Sequence, residues 1–287
     1  MIRELRVKKQ TELKLFGGPV RASPRPDHVP AWDALSKARQ RFESRRMAAY
    51  AGMIDRVDHE LGRLFDDLRH VDEMDNTLVL FVSDNGACPY DRRSNNIDGN
   101  PFDADTRWSD STGWAWARNS PFRYYKQNQF EGGIATPAIV HWPTGLKTPS
   151  GSIVHGPAHL IDVFPTLAEV AGVQIPSEWP GRELEPVAGV SLTPVLRGRE
   201  LGARPPIHLL FSTDRGLRDG DWKLVSFRSL PWELYNIAQD RAELHNVAAD
   251  HQVMVERMAK QWREMCEHVL KAPAKSYQPV KKEPAPD

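Results

Sequence analysis

The chain has 287 residues, enough for one large α/β domain or a domain fragment plus a small second unit. Its 38 Lys+Arg balance 38 Asp+Glu, so no global field draws it toward nucleic acid or an anionic membrane. Two cysteines, Cys88 and Cys266, specify neither a disulfide framework nor a metal cluster. From Met1 to Phe16, Arg, Lys and Glu mix with scattered apolar residues. That stretch has no apolar h-region and reads as neither signal peptide nor membrane span.

After a Pro-rich connector, Gly17 to Pro30, apolar residues recur at Met47, Tyr50, Ile54, Val57, Leu61, Leu64 and Leu68. Steps of three and four predict one face of a long amphipathic helix. The run Leu78-Val79-Leu80-Phe81-Val82 follows and ends in Ser83-Asp84-Asn85-Gly86, which reads as a strand buried on both faces. From Ala87 to Arg123 no period is visible, so a long loop is expected, with Trp108, Trp114 and Trp116 arguing for order. These tryptophans suit either an aromatic rim for a ligand or packing beneath the loop.

The segment Ile134 to Trp142 is broken by Pro137 and predicts a strand near its beginning or at an edge. Pro165 opens and Gly172 closes a short helix, with Leu167 and Val170 as its buried face. Beyond a second Pro-punctuated connector, Ile207 to Phe211, Leu217 and Trp222 to Phe227 flank Asp219-Gly220, a hairpin signal. Val255, Met258, Trp262, Met265 and Val269 step as a helix able to cover a small sheet. The division expected is 1–200 in an α/β domain, 201–270 in a smaller α+β unit, and a disordered tail over 271–287.

Asp84 and Asn85 follow a strand, and the carboxyl ends of strands in α/β sheets are where ligands collect. Their oxygens are hard donors suited to calcium or magnesium, although calcium wants about six to eight oxygens. The tripeptide alone reads more readily as a plain turn. Lys126 precedes Glu131-Gly132-Gly133, whose glycines let backbone approach closely, and a lysine beside a metal neutralises a tetrahedral anion. Alone, such a lysine is more often a solvated surface group. His141, His155 and His159 show no ligand-spaced pair, and ordinary hydrogen-bonded roles are expected. Cys88-Pro89 places its proline directly after the cysteine and receives no catalytic role.

Read in order, Tyr50-Ala51-Gly52-Met53-Ile54-Asp55-Arg56-Val57-Asp58, Ser83-Asp84-Asn85-Gly86, Pro121-Phe122-Arg123 with Lys126, and Glu131-Gly132-Gly133 resemble the second half of the formylglycine-dependent arylsulfatases of the alkaline-phosphatase superfamily. So do His141-Trp142-Pro143, His159 with Asp162, Pro165-Thr166-Leu167, Gly189 to Pro194, and Glu233-Leu234-Tyr235-Asn236 with Glu243 and Asn246. The resemblance implies an alkaline-phosphatase-like α/β sandwich with a mixed, mainly parallel sheet. A small antiparallel sheet covered by the C-terminal helix should follow.

It also implies a divalent metal, calcium, held in part by Asp84 and Asn85, and Lys126 as a catalytic lysine that binds sulfate and assists the leaving group. The substrate implied is a sulfate-ester small molecule or sulfated sugar; nucleic acid is not expected. No Cys-x-Pro-x-Arg or Ser-x-Pro-x-Arg occurs. Formylglycine and the remaining ligands are therefore expected in an N-terminal half corresponding to sequence upstream of Met1, itself a possible partner, and the chain alone should be inactive. Periplasmic or extracellular location follows only if the whole protein follows the family. A phosphoryl or phosphonate hydrolase of the same superfamily and a non-catalytic binding protein are the alternatives.

Overall fold

The computed structural model describes residues 2–90, 99, 100, 102–104, 106 and 108–270. Asp91 and Arg92, most of the residues that follow them up to 107, and the tail read as disordered thus lie outside the described residues. Helix α1 (Ile2–Glu12) is anchored by one buried side chain, Arg3. Its guanidinium donates to Trp116 O at 2.6 Å, Ser23 Oγ at 2.9 Å and Pro121 O at 2.9 Å, and lies over the Trp116 ring. Burial lowers its pKa to about 10, so the multiple carbonyl contacts are what hold the ion out of water.

Helix α2 (Lys37–His70) starts where Ser36 Oγ accepts from the Arg39 amide. Its apolar stripe is mostly uncovered. The buried α2 residues are Glu43 and Arg46, whereas Ile54, Val57 and Leu64 are about half exposed. The three tryptophans of the loop pack rather than form a rim: Trp108 stacks on Phe42, Trp114 Nε1 donates to Glu43 O at 3.0 Å, and Trp116 sits under Arg3. Trp114 and Trp116 belong to a short helix, α3 (Thr112–Arg118), inside what reads as loop from sequence.

Strand β1 (Val79–Val82) pairs antiparallel with β2 (Ala138–His141), which starts directly after Pro137. Between them lies the single turn α4 (Glu131–Ile134). Contrary to expectation, β1 is not buried on both faces: Phe81 is 50% and its cross-strand partner Ile139 61% exposed. All strand pairs among the described residues are antiparallel, so the mainly parallel arrangement is not present there. A parallel crossover through α2 would need a strand before that helix, and no described strand precedes α2.

The short helix α5 (Val163–Val170) is entered through Asp162, a fully buried carboxylate. Asp162 accepts from the His159 amide and is paired with Arg204 at 2.6 Å, so His159 and Asp162 shape the chain entering the helix. Thr166 is the buried residue of α5; Leu167, expected to face a core, is exposed together with Phe164. A two-residue ladder, β3 (Glu178–Trp179) with β4 (Arg182–Glu183), and a turn α6 (Thr193–Leu196) complete this part.

Four antiparallel strands follow in sequence order: β5 (Ile207–Phe211), β6 (Asp214–Asp219), β7 (Trp222–Ser226) and β8 (Glu233–Asn236). Asp219 pairs with Trp222, and Gly220 turns the hairpin at φ +58°. Alternation along the strands sends successive side chains to opposite faces. Leu217, Leu224 and Leu234 meet Met258, Trp262 and Cys266 of α7 (Gln252–Leu270). Trp262 is fully buried, and its Nε1 donates to Leu209 O at 3.2 Å. Burying each such large apolar group contributes about 2–3 kcal/mol. On the other face Val225, Tyr235 and Ile237 pack on Phe130. The sheet therefore sits between α7 and the loop that carries Lys126.

Candidate active site

Ser83-Asp84-Asn85-Gly86 leaves β1 as a turn, with Asp84 exposed and Asn85 half-buried. Two backbone hydrogen bonds lace this turn to the Lys126 loop. Gly86 N donates to Gly133 O at 2.9 Å, and Lys126 N donates to Ala87 O at 3.0 Å. Asn119, which ends α3, adds a side-chain brace: its Oδ1 accepts from Ala87 N at 3.0 Å while its Nδ2 donates to Gly132 O at 2.7 Å and Tyr124 O at 3.2 Å. One amide thus ties three points of two loops. Sequence reading did not single it out; its only signal is an amide directly before Ser120-Pro121.

The glycines are required by contact rather than by flexibility. A Cβ on Gly86 would lie 1.8 Å from Gly132 O, one on Gly132 2.1 Å from Arg123 O, and one on Gly133 2.1 Å from Asn128 O. These contacts are with backbone, which cannot move aside as a side chain can. The Asp84 turn and the Glu131-Gly132-Gly133 turn are consequently packed main chain on main chain.

Beneath the second turn lies a buried charge cluster. Lys223 Nζ is 2.8 Å from Glu131 Oε1 and 2.8 Å from Glu243 Oε1, and Arg241 reaches Glu131 Oε2 at 2.5 Å. Glu243 also accepts from the Glu131 amide at 2.7 Å. Burial raises Glu131, but Lys223 and Arg241 outweigh it and hold the carboxyl near 2. Glu243 is raised to about 7 by burial, with the Glu131 charge adding to the shift and Lys223 opposing it. Arg123 extends the connection to β8, donating to Glu233 Oε2 at 2.8 Å and Tyr235 Oη at 2.9 Å. Arg123 and Glu131 are structural: they seat the Lys126 loop on the four-stranded sheet.

Asp84 and Asn85 offer hard oxygen donors on a turn whose backbone is immobilised by close packing, which suits calcium. Two residues fill only part of a calcium sphere, and among the described residues no group of three or more His, Cys, Asp and Glu could hold a metal ion. His141 and His155 are exposed and His159 serves the entry to α5. No described helix is long and apolar enough to cross a membrane.

The hard donors of the Asp84-Asn85 turn and the lysine-bearing loop thus lie on two turns packed main chain against main chain. Comparison with known proteins gives the family. The sulfatase family profile matches residues 19–173, and the profile described as N-sulphoglucosamine sulphohydrolase, C-terminal, matches residues 122–269. The chain therefore belongs to the sulfatase family. The second profile begins at the loop that packs on the four-stranded sheet.

An uncharacterized sulfatase of Schizosaccharomyces pombe is 28% identical over 293 residues, covering 91% of this chain and 51% of the relative. The arylsulfatase of Klebsiella aerogenes is 30% identical over 176 residues, covering 57% of this chain and 38% of the relative. The crystal structure of Ps i-CgsB in complex with k-i-k-neocarrahexaose is similar at a TM-score of 0.59 and 24% identity, covering 81% of this chain and 44% of that one. A phosphonate monoester hydrolase of Agrobacterium radiobacter shares the fold at a TM-score of 0.50 and 23% identity. The chain spans about half or less of the length of these relatives.

Proposed function

We propose that this chain is the C-terminal portion of a sulfuric ester hydrolase of arylsulfatase type, contributing one edge of the metal and sulfate site. The observation that carries the reading is the pair of main-chain bonds, Lys126 to Ala87 and Gly86 to Gly133, which hold the lysine loop against the Asp84-Asn85 turn. In this reading Asp84 and Asn85 hold a divalent metal, calcium, through their oxygens. When bound, calcium supplies the positive charge that orients the sulfate and stabilises charge developing on it. The Lys126 ammonium binds a sulfate oxygen as a point charge and assists the departing alcohol oxygen. Asn119 and the buried Glu131 cluster keep the lysine loop from drifting, and position errors of an ångström are costly in catalysis.

The nucleophile, a formylglycine, and the remaining ligands come from a polypeptide corresponding to the part of the relatives that this chain does not match. The surface supports such a partner. All the large hydrophobic side chains that are exposed, save Phe211, Leu230 and Val253, precede residue 201 among the described residues, and α2, β1–β2 and α5 present several of them. A protein surface that displays so much apolar area is ordinarily covered. The same distribution favours a unit boundary near residue 201. The substrate class is a sulfate ester, with sulfated sugars favoured by the carrageenan oligosaccharide complex of the similar structure.

The test is an aryl sulfate assay. Isolated, the chain leaves p-nitrophenyl sulfate unhydrolysed with or without calcium. Co-produced with the complementary N-terminal half of a sulfatase and a formylglycine-generating enzyme, it gains calcium-dependent turnover. Calcium-dependent turnover by the isolated chain, abolished by Asp84→Ala, would show that a nucleophile lies within these residues.

A further inference from the structure

Arg228 stands on a turn that its sequence does not favour. It and Ser229 both take left-handed conformations, φ 49° and 58°, without being glycine. Such residues cost of order 1–3 kcal/mol each and persist where the surroundings over-determine them. The bracing is visible. Ser229 N donates to Thr213 O at 3.0 Å, Arg228 N to the buried Asp214 at 3.3 Å, and Ser226 Oγ to Leu230 O at 2.6 Å. The guanidinium so displayed is exposed and lies 5.0 Å over the neighbouring Phe227 ring. Among the described residues no carboxylate forms an ion pair with it.

Phe227 stacks on Tyr124 with ring centroids 5.2 Å apart, which sets the Arg228 turn against the Lys126 loop. Tyr125, the residue before Lys126, has its hydroxyl 2.5 Å from His28 Nε2. Arg228 also acts electrostatically on both: burial lowers His28 and the Arg228 charge adds to that, whereas burial raises Tyr125 and Arg228 opposes it as a smaller influence. One cation, one phenol and one imidazole therefore edge a common patch beginning one residue from Lys126.

We infer that Arg228, with Tyr125 and His28, forms a subsite for a second anionic group of the substrate, a carboxylate or sulfate on the sugar adjoining the ester that Lys126 holds. An exposed guanidinium that acts electrostatically on the buried Asp214 but makes no ion pair with it, held in place by a strained and braced turn, is suited to a planar or tetrahedral oxyanion. The neighbouring hydroxyl and ring nitrogen add hydrogen-bonding capacity beside it. The inference deepens the proposed function and rests on Lys126 as the sulfate-binding residue.

Its test is binding of a monosulfated, uronate-containing disaccharide and of the same disaccharide with its uronate methyl-esterified, measured by titration calorimetry on the full chain. The free acid should bind about tenfold more tightly than the ester, the usual size of one charge-assisted contact. Arg228→Gln should bring the two within about twofold while leaving the ester's affinity unchanged, and Arg228→Lys should restore part of the preference. Lys126→Gln should weaken both ligands alike. Equal binding of acid and ester by the wild type, no binding of the acid, or a preference that survives Arg228→Gln would overturn the inference. Loss of the preference in Arg228→Gln with no effect of Lys126→Gln would keep the subsite and remove Lys126 from the sulfate site.

Discussion

The ammonium of Lys223 and the carboxylate of Glu131 meet at 2.8 Å in a fully buried contact, joining the four-stranded sheet to the turn beneath the Lys126 loop. Removing Lys223 takes the ammonium from both Glu131 and Glu243 and leaves Arg241 as the cation against Glu131. Lys223→Met should cost up to about 3–5 kcal/mol in urea denaturation, the upper bound for a fully uncompensated buried charge and more than the loss of any exposed ion pair in the chain. A loss below about 1 kcal/mol would show that water reaches the cluster.

The same cluster predicts a pH dependence. Glu243 ionises near 7 when folded against an ordinary value of 4.5, so between these values the folded chain holds a proton that the unfolded chain has released. Its contribution is complete below about 4.5 and is lost as pH rises through about 7. Denaturation midpoints should therefore fall from pH 5 to pH 7.5, and Glu243→Gln should flatten the fall. A midpoint that rises over this window in the wild type would contradict the protonation assignment.

Gly86→Ala introduces a Cβ 1.8 Å from the Gly132 carbonyl oxygen. Overpacking against main chain should destabilise by about 1–3 kcal/mol and push the Asp84-Asn85 turn off the lysine loop. Hydrogen exchange of the Gly86 and Lys126 amides should accelerate in the variant. Exchange unchanged from wild type would mean that the two loops are not locked together.

Ile54 and Ile139, 52% and 61% exposed on α2 and β2, should mark the covered face. The isolated chain should bind a hydrophobic dye, and complementation with the N-terminal half should suppress that signal. The double substitution Ile54→Gln and Ile139→Thr should raise solubility of the isolated chain yet weaken complementation. Full complementation by that variant would move the docking surface elsewhere.

Local signals in the sequence were legible where local chemistry decides. Asp219-Gly220 and Pro137 lie at the hairpin and directly before β2, whereas the 233–236 run, singled out only by family resemblance, forms strand β8. The three-and-four steps at Met258 and Trp262 lie on the face of α7 that meets the sheet. Periodicity was less informative for α2 and Leu167, because it reports an apolar face without saying which partner covers it. Asn119 and the Lys223–Glu131–Glu243 cluster were illegible, since their meaning lies mostly in contacts between residues 13 to 112 positions apart. Antiparallel pairing of β1 with β2 was likewise set by tertiary topology, not by either strand's composition.

The most direct test of the account is turnover of p-nitrophenyl sulfate by the complemented assembly, comparing wild type with Lys126→Ala at equal occupancy of the two halves. The lysine is read as stabilising charge on the sulfate in the transition state, so its loss should lower kcat by about 100- to 1,000-fold, as for other preorganised charge-stabilising groups. Calcium-dependent binding of the two halves should be unchanged. Turnover in Lys126→Ala equal to wild type would contradict the placement of Lys126 beside the Asp84-Asn85 turn as the working edge of a sulfate site.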